Sequence, residues 1–187
     1  TVISERHYIS VSEFTEALLS DALMCCINYL TDVVKKQPVA SYQSINWNYM
    51  PLAGSSILHP HLQITASSSS TNYYDDLNAS AASTAPGGNI FTLLIDAERE
   101  AGERFLGETD TMAWMLACAP LGAFDVLGVC RRPGVPSNFR EREIGELAAG
   151  IIKTLRFLGE LNIHSFNMAL SFNPADGAFH PHVRLCP

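Results

Sequence analysis

The sequence predicts an α+β fold made of two related halves. Three observations carry that prediction. The tripeptide His-Pro-His occurs twice, at 59–61 and 180–182, in a chain of 187 residues with only six histidines. Each copy closes the same order of elements (helix, strand, turn, histidine-bearing strand) over residues 12–66 and 138–186. Aligning the copies at their 121-residue offset also sets Asn46 against Asn167.

Each element has a local reason. Val2-Ile3 reads as the end of a strand running into a loop. Ser10 and Glu13 form a Ser-x-x-Glu capping pattern, and a helix is expected over roughly Ser12–Lys36. Phe14, Leu18, Ala22, Cys26, Leu30 and Val33 give it one apolar stripe, Lys35 and Lys36 suit its C-terminal dipole, and Pro38 ends it. Tyr42–Tyr49 alternates as a strand, Pro51–Ser56 is a turn, and Ile57–Ala66 is a second strand. Residues 67–89, rich in Ser, Ala, Asn and Gly, read as a flexible linker between a first half (1–66) and a second (90–187).

In the second half, Ile90–Phe105 reads as helix, and Thr111–Val129 as two apolar strands broken near Pro120-Leu121-Gly122. Arg131–Ser137 is a turn region. Asn138 and Glu141 suggest a second capping box for a helix to about Glu160, with Ile144, Leu147, Ile151, Leu155 and Leu158 on one face. Ile163–Ser171 and Phe179–Leu185 read as strands around a turn at 173–177.

Composition bounds the function. Hydrophobic content of 47% with 17% charged residues fits a globular protein. A net charge of −7 gives no basic field for a nucleic-acid backbone. No stretch reads as a membrane span, and no membrane partner is expected. Five irregularly spaced cysteines (25, 26, 118, 130, 186) suggest reduced thiols and a cytoplasmic protein rather than a disulfide framework. The chain begins at Thr1, without a methionine.

The chemistry concentrates in His59-Pro60-His61-Leu62-Gln63. On a strand, His59, His61 and Gln63 share one face. A neutral imidazole is a nucleophile near pH 7 and can hold a nucleotidyl group as a phosphoramidate, provided its other ring nitrogen is kept as a donor. Gln63 can donate to a phosphate oxygen without delivering a proton. Ser56 and the amides near Gly54 and Ser55 could cradle the same phosphate. By spacing alone, two like-facing histidines fit a metal site or a polar edge as well. The second copy lacks the polar groups, having Ala169, Gly177 and Arg184 where the first has Asn48, Ser56 and Gln63.

Residues 48–63, Asn-Tyr-Met-Pro-Leu-Ala-Gly-Ser-Ser-Ile-Leu-His-Pro-His-Leu-Gln, resemble the active-site signature of the galactose-1-phosphate uridylyltransferase family, of the histidine triad superfamily. The resemblance implies two histidine-triad-like halves, each an antiparallel sheet with a packed helix. It implies His61 as nucleophile, Gln63 as stabiliser of the phosphoryl group, and Asn48 and Ser56 as contacts to substrate phosphate. The partners it implies are a nucleotide sugar and a sugar phosphate, and the assembly a homodimer. Gln at the third position resembles the transferase and phosphorylase branches, whereas hydrolases of the superfamily carry His there. A nucleotide-sugar or dinucleoside polyphosphate phosphorylase, or an inactive nucleotide-binding scaffold, remain the alternatives.

His7, in Ile3-Ser4-Glu5-Arg6-His7, resembles the family's loop histidine. In zinc-containing members that residue and the first His of His-Pro-His bind the metal with an upstream cysteine pair. His7 and His59 are thus expected zinc ligands, with the remaining ligands outside this chain. Glu103-Arg104-Phe105, Glu108, Trp114–Pro120 and Phe124-Asp125-Val126 resemble the family's second half. His180-Pro181-His182 resembles its second, non-nucleophilic segment, with a structural or sugar-site role expected for those two histidines. The resemblance also places the family's first strands before this chain and its hexose-binding segment after it.

Overall fold

A computed structural model describes residues 1–83, 88–173 and 177–187. The strands are β1 (Val2–Ile3), β2 (Tyr42–Tyr49), β3 (His61–Ser67), β4 (Phe105–Glu108), β5 (Met112–Leu116), β6 (Val126–Cys130), β7 (Phe166–Phe172) and β8 (His182–Cys186). The helices are α1 (Glu16–Lys36), α2 (Asn72–Ser83), α3 (Ile90–Ala101) and α4 (Glu141–Glu160). All the strands join one antiparallel sheet, in the order β1-β3-β2-β7-β8-β6-β5-β4. The fold class is thus α+β, as expected. The two halves merge into a single sheet through the β2–β7 pair.

That pair contains the symmetry of the repeat. Trp47 lies opposite Met168, Asn46 opposite Ala169 and Asn48 opposite Asn167. Adding the offset of 121 to 46, 47 and 48 gives 167, 168 and 169. The pairs flanking Trp47–Met168 therefore exchange under the repeat, and a local twofold axis passes between those two residues. The hairpins then diverge. Asn46 faces Gln63, but its counterpart Asn167 faces Cys186, two positions beyond Gln63's counterpart Arg184. A slip of two keeps each side chain on its face of the sheet.

One face is covered along its length. Ile45, Trp47 and Tyr49 of β2, Leu62 of β3 and Phe166, Met168, Leu170 and Phe172 of β7 point towards α1 and α4, which pack side by side. α1 contributes Leu19, Leu23, Cys26, Ile27 and Leu30, and α4 contributes Ile144, Leu147, Ile151, Leu155 and Leu158. Each such side chain stabilises the fold by about 1.5–3 kcal/mol on burial. Trp114 of β5 lies opposite Gly128 of β6 and against Gly150 of α4, where an added Cβ would come within 2.0 Å of the indole. The β4–β5 turn is tied to α4 by Glu146, which accepts from the Thr111 amide (2.9 Å), the Thr111 and Thr109 hydroxyls and Arg142. Burial pushes this carboxyl upward, but those donors outweigh it and hold the pKa at about 2.

The other face is only half covered. α2 and α3 lie over the second half, burying Tyr74, Phe91, Ile95, Met115 and Phe179. Tyr74 donates its hydroxyl to the carbonyls of Gln43 and Phe172. The segment 67–89 is therefore not all linker, because residues 72–83 are helical and an aromatic pair fastens them to the sheet. Residues 84–87, and 174–176 of the expected turn, lie outside the described residues.

Several boundaries move for identifiable reasons. Ser10 and Glu13 do bond to each other (2.7 and 3.0 Å), but they close a loop turn, and Thr15 caps α1 by accepting from the Leu18 amide. Asn138 accepts from the Val135 amide in a 3₁₀ turn, while Glu143 caps α4 through the Arg140 amide. α3 stops at Ala101 because Gly102 takes a left-handed conformation, φ 71°, which frees Phe105 to start β4. By length and composition α1 could cross a membrane, contrary to the sequence reading, yet its apolar stripe is spent on the core. All five cysteines are free thiols, with Cys25 and Cys118 exposed and Cys26 and Cys130 buried.

Candidate active site

The half of the sheet left open carries the polar residues. Leu62 turns inward, so its neighbours His61 and Gln63 turn outward. On β2 the inward Ile45, Trp47 and Tyr49 leave Ser44, Asn46 and Asn48 facing out. Gln63 sits opposite Asn46, where the β2–β3 pairing ends, and His61 and Asn48 lie two residues beyond it on the same face. Asn167 of β7 follows Asn48 directly.

The hydrogen bonds on His61 determine what it can do. Its Nδ1 is 2.9 Å from the carbonyl oxygen of His59. A carbonyl only accepts, so Nδ1 carries the proton and Nε2 keeps its lone pair. That nitrogen lies 3.2 Å from the Gln63 amide nitrogen, which can only donate to it. His61 is buried, at 9% exposure, with its ring held by the backbone at Nδ1 and met by the exposed Gln63 amide at Nε2. Gln63 itself is exposed and can turn its donor from the imidazole to a phosphate oxygen once Nε2 is engaged.

The loop between β2 and β3 is a tight construction. Met50 (φ 72°) and Gly54 (φ 84°) hold positive φ around a 3₁₀ turn at Pro51–Ala53. The Gly54 amide donates to Pro51, the Ser55 amide to Met50, and the Ser55 hydroxyl to Ile57. The phosphate donors expected at Gly54 and Ser55 are thus spent inside the loop, for a physical reason invisible to spacing. Among the described residues, exposed Ser56 has no partner on its hydroxyl and half-buried Asn48 has none on its amide.

His59 lies just before β3, which starts at His61, so it is not part of the strand face as expected. It does meet His7, with ring centroids 4.8 Å apart. Its Nε2 donates to the carbonyl of Ser4 (2.7 Å), leaving Nδ1 as the free ligand atom. A backbone-anchored imidazole of this kind suits a metal. Two imidazoles are half of a tetrahedral zinc set, however, and no group of three or more His, Cys, Asp or Glu occurs among the described residues. The residues present do not complete a zinc site, and no chemical step is routed through one.

The second His-Pro-His repeats the scaffold and reverses the setting. His182 Nδ1 donates to the His180 carbonyl (3.0 Å), and His180 Nδ1 to Cys130 (2.6 Å). The Cys130 amide donates to Pro181, as the Ser4 amide does to Pro60. Val129 faces His182 as Ile3 faces His61. Here, however, the Nε2 lone pair is taken by the hydroxyl of Tyr73 from α2, and Phe91 stacks on His180. Burial drives the His182 pKa down to about 4, with Arg184 nearby adding to it. Arg184 is itself locked on buried Asp125 at 2.6–3.0 Å. Sequence reading missed Tyr73, whose only signal was an aromatic pair in a Ser-rich stretch.

Comparison with known proteins fits this geometry. No family model matches the chain. An uncharacterized protein of Archaeoglobus fulgidus is 34% identical over 171 residues, covering 90% of this chain and 50% of the relative. A uridylyltransferase structure superposes with a TM-score of 0.83 at 16% identity, covering 99% of this chain and 60% of the other. A GalT-like protein of Arabidopsis thaliana gives 0.80 at 14%, covering 98% and 63%. An ADP-glucose phosphorylase of the same plant, solved with ADP-glucose, gives 0.81 at 14%, covering 98% and 61%. The chain thus spans half the length of the curated relative it matches and about three-fifths of these structures. Over that span it has the fold of the GalT-like uridylyltransferases.

Proposed function

We propose that the protein is a nucleotidyltransferase that carries a nucleoside monophosphate on His61, passing it from a nucleotide sugar to a phosphate acceptor. The observation that carries this reading is the tautomer of His61. Nδ1–H is tied to the His59 carbonyl while Nε2 keeps its lone pair beside the exposed amide of Gln63. His61 Nε2 would attack the α-phosphorus, forming an N–P bond as the P–O bond to the sugar phosphate breaks. The leaving phosphate departs as an anion, since its second pKa is about 6, so no general acid is needed. Gln63, which stabilises charge but delivers no proton, suits that demand. An acceptor phosphate oxygen then attacks the same phosphorus, the N–P bond breaks, and His61 returns to its starting form. Nδ1 keeps its proton throughout.

UDP-glucose and galactose 1-phosphate are the substrates favoured by the signature at 48–63. Inorganic phosphate as acceptor, giving a phosphorylase, is favoured by the likeness to the ADP-glucose phosphorylase. Homodimer formation and a zinc ion sharing His7 and His59 belong to the same proposal. The test is to incubate the protein with UDP-glucose or ADP-glucose labelled at the α-phosphorus. An acid-labile, base-stable adduct should form, disappear in His61→Ala, and be discharged by a hexose 1-phosphate or by inorganic phosphate. No adduct from either donor would end the proposal.

A further inference from the structure

We infer that Asn167, supplied by the second half, positions the sugar phosphate that leaves and re-attacks at His61. The inference rests on the nucleotidyl-histidine reading above and extends it across the local twofold axis. The β2–β7 register sets Asn167 directly opposite Asn48, so the two side chains project from the same face. Opposed residues in an antiparallel pair lie about 4.5–5.5 Å apart at Cα. His61 and Asn48 lie just past the last β2–β3 pair, so His61, Asn48 and Asn167 sit on one face of three neighbouring strands, β3, β2 and β7.

Asn167 is exposed, and neither it nor Asn48 has a partner for its side-chain amide among the described residues. Their neighbours differ in this respect, since Asn46 donates to Ser44 (2.8 Å) and Arg184 is engaged by Asp125. Free donors on a rigid strand, on the face that carries His61, suit an anionic or hydroxylated ligand. In-line displacement requires the leaving group to lie on the far side of phosphorus from Nε2. A phosphorus atom held over Asn48, between His61 and Asn167, would put the departing phosphate and sugar over Asn167. Its counterpart in the repeat is Asn46, and the fourth position of the quartet is Ala169, so the donors are lopsided towards His61. The ligand class is a sugar 1-phosphate, with the Asn167 amide donating to a phosphate oxygen or a ring hydroxyl.

The test separates the two half-reactions. Wild-type protein and Asn167→Ala are first loaded from labelled UDP-glucose or ADP-glucose. Discharge of the adduct is then followed against increasing glucose 1-phosphate. The half-saturating concentration should rise about tenfold in Asn167→Ala, the scale of one lost hydrogen bond to a charged group. Asn167→Gln should recover part of it, and the thermal midpoint should match wild type. An Asn167→Ala adduct that discharges with the wild-type dependence on glucose 1-phosphate overturns the inference while leaving the His61 reading intact. Absence of adduct on the wild type overturns both.

Discussion

The two His-Pro-His segments share a backbone scaffold and differ in what meets the second histidine's Nε2. In both, Nδ1 donates to the carbonyl two residues earlier. In the first, Nε2 meets the exposed amide of Gln63 on an open face. In the second, it meets the Tyr73 hydroxyl beneath α2, with Phe91 and Phe179 against the ring. The same tautomer thus leaves Nε2 beside an exposed amide in one place and packs it under a helix in the other. The difference comes from the added elements, α2 and α3, and not from the tripeptide. Substitutions should therefore have opposite readouts in the two halves.

The largest contrast is in activity. His61→Ala should reduce nucleotidyl adduct to background with little change in thermal midpoint. His182→Ala should keep adduct formation in whatever fraction remains folded, measured per folded molecule. Adduct surviving in His61→Ala but lost in His182→Ala would reverse the assignment of the halves.

Gly150→Ala probes the seal of the second half. Its Cβ would meet the Trp114 ring at 2.0 Å, with Gly128 blocking retreat on the opposite strand. Overpacking of this kind costs about 1–3 kcal/mol. Chemical denaturation should show that loss, whereas Gly145→Ala on the same helix, with open space at Cβ, should lose nothing. Equal effects would mean that the indole moves aside.

Acid should weaken the second half through its histidine. His182 is buried neutral, with a folded pKa of about 4 against an ordinary value of 6.5. Below 6.5 the unfolded chain takes up the proton first, so stability is complete above that pH and is lost as pH falls towards 4. The shift corresponds to about 3 kcal/mol at most. His180, also lowered by burial, acts with the same sign. The difference in unfolding free energy between pH 7 and pH 4.5 should shrink in His182→Gln, and an unchanged difference would place the acid sensitivity elsewhere.

How much of this was legible in the sequence follows from the kind of signal. The repeat, the amphipathic helices and the alternating β2 were readable because periodicity records which face is buried. The β2–β7 register was not readable, because an offset between repeats does not say which strands pair. The 3₁₀ turn was readable as punctuation, but not the fate of its amides, which depends on the positive φ at Met50 and Gly54. α2 was not readable, because Asn72–Ser83 has weak amphipathicity and a loop-like composition. Its place is dictated by Tyr73 and Tyr74 finding partners on remote strands. At the site, residue types at fixed spacing pointed to His61 and Gln63, while Asn167 became visible only through strand pairing.

The smallest prediction distinguishes the two Nε2 partners. Tyr73→Phe keeps the ring and removes the one hydroxyl that satisfies the buried lone pair of His182. A buried acceptor left without a donor costs about 1–3 kcal/mol. The lower end applies here, because Tyr73 is itself partly exposed. Gln63→Ala removes the corresponding donor from His61, but on an open face where water replaces it at once, so stability should not change. Denaturation midpoints of the two variants test this directly. A stable Tyr73→Phe would mean that α2 rests on the second histidine without sealing it. A destabilised Gln63→Ala would mean that the amide supports the fold of β3 as well as facing the ligand.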